Sequence, residues 1–276
     1  MSKVIFGPAG CDEGYTGKVA DIPEYLNGHG LDAFEVQCGH GVRMGETSAK
    51  TLRDNAERYG ITLSVHAPYF ISLTNPERLD GNINYLRKTV GLAGWLGARR
   101  VVVHAGGTMG LPRETALSHA KKTMLAVLET ARAEGWAEVF FCLETMGKIN
   151  QLGTEVLELC KPDDSLLPCI DFGHLYARSL GVFNGRDHFA SVLDEMENLL
   201  GLERARLCHI HFSKISYTKS GESKHMTFAD EGGPDWEPLI ILLAERGYSS
   251  AVICESRGTQ TADAALMKKV YEAVKV

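Results

Sequence analysis

Histidines and carboxylates stand at the ends of successive short apolar runs. His66 follows residues 62–65, His104 follows 100–103, and Glu144 follows 139–143. Asp171 follows 168–170, with His174 three residues on; His211 follows 207–210 and Glu255 follows 251–254. Imidazole mixed with carboxylate, without thiolate, suits zinc, and also manganese or iron. A tetrahedral ion uses about four ligands. This set, joined by His225 from a long polar stretch, exceeds what one ion can use, so two or three ions are expected. Multinuclear sites clamp both the attacking and the leaving oxygen of a phosphoryl displacement. Each residue alone has a plainer explanation, since a strand-end carboxylate often caps the helix that follows. Capping does not explain six strand ends in succession with no Lys, Arg or apolar residue breaking the series.

The elements that must position these groups follow from periodicity. Residues 4–6, 33–36, 62–65, 100–103, 139–143, 168–170, 207–210 and 251–254 are short, β-branched or cysteine-rich, and bounded by turn or polar residues, as strands are. Residues 20–27, 48–59, 82–96, 113–133, 154–160, 186–200, 236–246 and 262–274 carry apolar residues at helical spacing. The clearest helix puts Ala116, Leu117, Ala120, Met124, Val127 and Leu128 on one face. Gly60, Gly97 and Gly247 sit where helices should end in left-handed caps. A doubly wound sheet shows similar alternation, but eight strands alternating with eight helices is the count of a (β/α)₈ TIM barrel, an α/β fold, and a single domain over residues 1–276 is expected. In a parallel barrel the carboxyl ends of all strands share one rim, where active sites form. Residues 213–234 are long, polar and glycine-containing, as functional loops are.

The bulk properties narrow the class. A chain of 276 residues, 44% hydrophobic and 23% charged, buries a large core and is not a disordered segment. A net charge of −6 argues against a general nucleic-acid coater, which shows basic patches. The seven cysteines are scattered without a CxxC pair, as in reduced cytoplasmic proteins. The opening MSKVIFGPAG lacks a signal peptide's pattern, and no run approaches the roughly 20 apolar residues of a membrane helix. A cytoplasmic monomer with no membrane association is expected.

The motifs His66-Ala67-Pro68-Tyr69, His104-Ala105-Gly106-Gly107, Leu143-Glu144-Thr145, Asp171-Phe172-Gly173-His174, His211-Phe212-Ser213 and Cys254-Glu255-Ser256 resemble, in order and approximate spacing, those of endonuclease IV. The resemblance runs from Phe6 to Glu255. It implies a zinc-dependent enzyme that cleaves DNA containing abasic sites. His66, His104 and Glu144 would hold one ion. Glu144, Asp171, His211 and Glu255 would hold a second, with Glu144 bridging, and His174 and His225 a third. A hydroxide between ions would attack the phosphorus 5′ of the lesion, leaving a 3′-hydroxyl. Two positions depart from the family. Ser223, beside Glu222, stands where an Asp precedes the loop histidine, and Ser213-Lys214 replace Asn-Asp. The wider superfamily also contains sugar isomerases and epimerases. A single-ion enzyme of that kind needs only Glu144, Asp171, His211 and Glu255, two carboxylates serving to move protons beside a carbonyl. A phosphoesterase acting on small molecules is a third reading.

Among other residues, Glu144 is the candidate catalytic group. Tyr69, Arg43, Lys214 and Arg257 are candidates for substrate contact near the rim, with solvated surface as their plainer explanation. His209 shares a strand face with His211 and reads as a core histidine one layer down.

Overall fold

The computed structural model describes residues 3–136 and 139–274, so the extreme ends of the expected domain lie outside the described residues. Eight parallel strands alternate with helices: β1 (Ile5–Pro8), β2 (Ala33–Gln37), β3 (Thr62–His66), β4 (Arg100–His104), β5 (Phe140–Glu144), β6 (Leu166–Asp171), β7 (His209–Phe212) and β10 (Ala251–Cys254). Their order is β1-β10-β7-β6-β5-β4-β3-β2. A parallel bridge from Ala9 to Glu35 joins the two outer members. Gly10 N–H donates to the Glu35 carbonyl at 2.9 Å, and Asp32 N–H to that of Phe6 at 2.9 Å. The sheet thereby closes into a TIM barrel.

Long helices form the outer layer: α2 (Glu46–Tyr59), α3 (Leu79–Leu96), α4 (Arg113–Glu134), α7 (Arg186–Leu200) and α10 (Gln260–Val274), with α1 (Ile22–Gly28), α5 (Val156–Cys160), α6 (Phe172–Arg178), α8 (Leu202–Ala205) and α9 (Glu237–Glu245) shorter. In α4 the buried stripe is Ala116, Ala120, Thr123, Met124, Val127, Leu128 and Ala131. Gly60 and Gly97 end α2 and α3 in the left-handed region, with φ of 69° and 66°, a conformation that a Cβ would disfavour.

Two apolar layers result. The larger lies between sheet and helices and includes Phe34, Leu52, Val101, Phe141, Ile210 and Val252. The smaller lies inside the barrel, where Val102, Cys142, Leu167 and Cys169 meet. Side chains alternate along a strand with period two. The inward row that holds Val102, Cys142 and Cys169 therefore continues into His104, Glu144 and Asp171 at the carboxyl ends.

The structure differs from the periodic reading in several places, helix α8 and an earlier start of β6 among them. The stretch expected as a loop contains an antiparallel hairpin, β8 (Lys214–Thr218) and β9 (Gly221–Met226). It is mostly solvated, so its polar strands give little hydrophobic alternation. The seventh strand begins at His209 rather than Leu207, which is exposed beyond the barrel's lower edge. Helix α6 is too short to show a repeat, and it starts directly after β6.

Candidate metal centre

Glu144 is the hub. It ends β5, is 1% exposed, and presents both oxygens to imidazoles from other elements. His66 Nε2 and His104 Nε2 each lie 3.1 Å from its Oε2. His174 Nδ1 at 3.3 Å and His211 Nδ1 at 3.4 Å face its Oε1. His66, His104 and Asp171 are the last residues of their strands, His211 is the third residue of β7, and Glu255 directly follows β10. Glu255 Oε1 is 3.6 Å from His211 Nδ1.

The capping explanation for Asp171 is half of the answer. Its Oδ1 accepts the N–H of His174 at 2.7 Å and so starts α6. Its Oδ2 is buried and accepts no hydrogen bond; it lies 3.2 Å from His174 Nδ1. A buried carboxylate oxygen without a donor is costly unless it meets a proton or a cation.

Three groups of ligand atoms at the rim are each mutually within 4.8 Å: His66, Glu144 and His211; Glu144, Asp171, His211 and Glu255; and His174, Glu222 and His225. Glu222, on β9, lies 3.4 Å from His174 Nε2 and 4.0 Å from His225 Nε2. It supplies a carboxylate where Ser223 does not. Gly147 makes room for it, because a Cβ there would stand 2.6 Å from Glu222 Oε2 and 2.8 Å from His174 Cδ2.

The second nitrogen of each ring is also engaged. His66 Nδ1 meets the Ala67 carbonyl at 2.8 Å, His104 Nδ1 that of Tyr69 at 3.3 Å, and His174 Nδ1 that of Thr145 at 2.9 Å. His225 Nδ1 meets Ser213 Oγ at 2.8 Å. Such contacts fix tautomer and orientation and leave the far nitrogen free to ligate. Four rings are thus poised to offer Nε2. The orphaned Asp171 oxygen, the donor types and these orientations fit divalent cations held by imidazole and carboxylate.

The electrostatics follow from packing carboxylates and imidazoles together. Burial alone would raise the Glu144 carboxyl, but His104, His174 and His211 hold it well below the usual carboxylate range. Burial alone would depress His66; the hydrogen bond and charge of Glu144, with Glu35, raise it to about 9. Burial opposes charge on His174 and His211 as well. Asp171, Glu144 and Glu222 lift the first, and Cys169, Glu255 and Glu35 lift the second, well above the ordinary imidazole value.

The residues considered for substrate contact scatter around this centre. Tyr69 is 55% exposed, and its ring meets His40 edge-on. Arg43 lines a cleft with Gln37 and His40. Arg257 lines an adjoining one with Gln37, Lys224, His225 and Glu255. Lys214 is turned elsewhere: its ammonium donates to the carbonyls of Phe228 at 2.8 Å and Asp230 at 2.7 Å. His209 lies fully buried beneath His211. Sequence reasoning missed Glu35, which is fully buried in contact with both histidines. The available signal was a carboxylate in the middle of the apolar run AFEVQ, because charged residues are seldom buried without partners.

Fold and rim together define a (β/α)₈ barrel with a histidine–carboxylate mouth. The xylose isomerase-like TIM barrel family model matches residues 23–274, and the chain belongs to that family. An uncharacterized protein of Methanocaldococcus jannaschii is 34% identical, covering 97% of each chain. A probable endonuclease 4 of Staphylococcus carnosus is 26% identical over 72% of this chain and 63% of its own length. Endonuclease IV of Thermus thermophilus superposes with a TM-score of 0.71 at 21% identity, covering 98% of both chains. A D-tagatose 3-epimerase-like protein superposes with a TM-score of 0.72, also at 21% identity and 98% coverage of both. Those two likenesses show the fold.

Proposed function

We propose that this protein is a metal-dependent phosphodiesterase of the endonuclease IV kind, which hydrolyses DNA on the 5′ side of abasic sites and leaves a 3′-hydroxyl. The observation that carries this reading is the surplus of ligands. A single-ion enzyme needs Glu144, Asp171, His211 and Glu255. It has no use for His66 and His104 on the far oxygen of Glu144, nor for the separate group His174, Glu222 and His225. Two or three zinc ions, with manganese or iron as alternatives, would be held by His66, His104 and Glu144; by Glu144, Asp171, His211 and Glu255; and by His174, Glu222 and His225. Bound there, they would supply Lewis-acid charge and bring the pKa of water to about 7.

The chain's own residues supply the rest. Glu144 joins the groups, and its burial keeps water from competing for its oxygens. The side chains around the rim are consistent with this reading of the substrate as a polymer. Tyr69, Met109, Leu111, Ile149 and Tyr217 are exposed apolar side chains on rim loops or the hairpin, and exposed Lys148, Lys219 and Lys224 stand among them. Apolar surfaces suit unstacked bases and ammonium groups suit phosphates. Tyr69 follows β3 and Arg257 follows β10, each on a rim loop. The proposed enzyme acts as a cytoplasmic monomer.

The experiment is metal analysis followed by incubation with an oligonucleotide carrying one tetrahydrofuran abasic analogue. Two or three tightly held ions and incision 5′ of the analogue are expected. Full metal loading without incision would overturn the assignment. The second reading, a sugar isomerase or epimerase, is favoured by the four-ligand group Glu144, Asp171, His211 and Glu255 taken alone. It requires one exchangeable ion per chain and turnover of a ketose.

A further inference from the structure

His211 differs from the other histidines of the rim. The second nitrogens of His66, His104 and His225 meet a carbonyl or a hydroxyl, and that of His174 hydrogen-bonds the Thr145 carbonyl with the carboxylates of Asp171 and Glu144 beside it. His211 is turned the other way, with Nδ1 toward Glu144 and Glu255 and Nε2 3.1 Å from Glu35 Oε1. Glu35 is a carboxylate with no solvent exposure, carried up from β2 into the barrel interior. Four groups converge on it. Ser64 Oγ donates to Oε2 at 2.9 Å and Gln37 Nε2 to Oε1 at 3.2 Å. His209 Nε2 lies 3.0 Å from Oε2, and His211 Nε2 takes the remaining side of Oε1. A buried anion hydrogen-bonded by Ser64 and Gln37, with His209 3.0 Å away, is a rigid one. His211 Nδ1 hydrogen-bonds Glu144 at 3.4 Å, and Nε2 stands close to Glu35 without a hydrogen-bonding alignment. Once a cation takes Nδ1, the neutral ring carries its proton on Nε2, and Glu35 is the carboxylate that this proton meets.

We infer that Glu35, braced by Ser64, Gln37 and His209, is a positioning residue that fixes the Nε2–H tautomer of His211 and presents Nδ1 as a metal ligand. Glu35 touches neither substrate nor ion; it acts through His211. The inference rests on the metal-site reading above. A carboxylate behind a ligating imidazole fixes its orientation and raises its basicity, and losing such a partner typically weakens metal binding 10–100-fold. The deeper layer of the barrel thereby sets the affinity of the ion shared by Glu144, Asp171, His211 and Glu255. The ions at His66 with His104, and at His174 with His225, depend on their own carbonyl and hydroxyl partners.

The test is zinc competition against a chelator for the native chain and for Glu35→Gln and Glu35→Asp, together with ¹⁵N imidazole spectra of the zinc-loaded native protein. Glu35→Gln is expected to weaken one ion by about 10–100-fold and to leave the others in place, while Glu35→Asp recovers part of the loss. His211 is expected to carry its proton on Nε2, whereas His66, His104, His174 and His225 carry theirs on Nδ1. Unchanged affinity for every ion in a folded Glu35→Gln protein would overturn the inference, because a merely structural role lowers the melting temperature and spares the ions. If that variant does not fold, the native spectra decide: an Nδ1–H tautomer at His211 overturns the proposal. A native chain that binds no zinc at all would overturn the metal-site reading, and this inference with it.

Discussion

Glu144 faces imidazoles from four separate elements, and removing its charge should be felt in all of them. Glu144→Gln keeps the shape but puts an amide N–H₂ where His66 and His104, or His174 and His211, now point. Loss of turnover on the order of 10³-fold is expected, about 4 kcal/mol of transition-state stabilisation. The circular dichroism spectrum should be unchanged. Full activity in single-turnover incision would show that Glu144 does not join the groups. Protons and cations compete at the same atoms. His66 is raised to about 9 in the metal-free protein, so near pH 7 its proton must leave before a cation enters. Apparent zinc affinity should therefore climb from pH 6 toward pH 9, with proton uptake by the buffer visible in calorimetry across buffers of different ionisation enthalpy. The sign for stability is opposite. The raised pKa of His66 stabilises the metal-free fold below the unfolded value of about 6.5, and that contribution is lost as the pH passes about 9. A zinc affinity that falls with pH over this range would contradict the arrangement. At this scale the positions of most candidate ligands were legible, because His66, His104, Glu144, Asp171, His211 and Glu255 lie at or beside the carboxyl ends of strands. Glu35 was not, because its partners His209 and His211 lie far along the chain and nothing local marks a carboxylate that a distant strand will neutralise.

At the scale of elements, the hairpin β8–β9 completes the third group by laying Glu222 over His174. The fit depends on Gly147. Gly147→Ala would drive a methyl group into Glu222 and His174. One ion should be lost or weakened by at least about 10-fold, as when a ligand or its support is displaced, with the remaining ions and the fold retained. Metal content by mass spectrometry reads this directly, and full occupancy in the variant would show that Glu222 is not needed there. The barrel strands and long helices were legible from their periods, since each has one or two faces in an apolar layer. The hairpin was not. Its residues are half-buried or exposed apart from Ile215 and Gly221, which pin it through Gly173 and through Gly147 and Lys148. Two buried positions six residues apart leave no pattern for sequence reasoning to find.

At the scale of the whole molecule, the proposed substrate is a polyanion and the chain is itself negative. The net charge is −6, yet the hairpin and the loop after β5 expose Lys148, Lys219 and Lys224 beside the mouth. Replacing all three with Glu should weaken binding of an abasic oligonucleotide by more than about 10-fold at low salt and flatten the salt dependence, with metal content unchanged. Equal affinity in the native and variant proteins would remove these loops from the substrate path. Closure of the sheet makes this geometry possible. Eight strands that begin on one side must finish on the other, so ligands distant in sequence arrive together without any single segment specifying the site.

Asp171 divides its two oxygens between tasks: one opens α6 by accepting the N–H of His174, and the other waits unpaired at the rim. His174 is held through its amide by the first oxygen and faces the second through its ring. One side chain thereby ties the start of a helix to the mouth of the barrel, so Asp171→Ala is expected to lower the melting temperature through the lost cap and to reduce metal content through the lost oxygen.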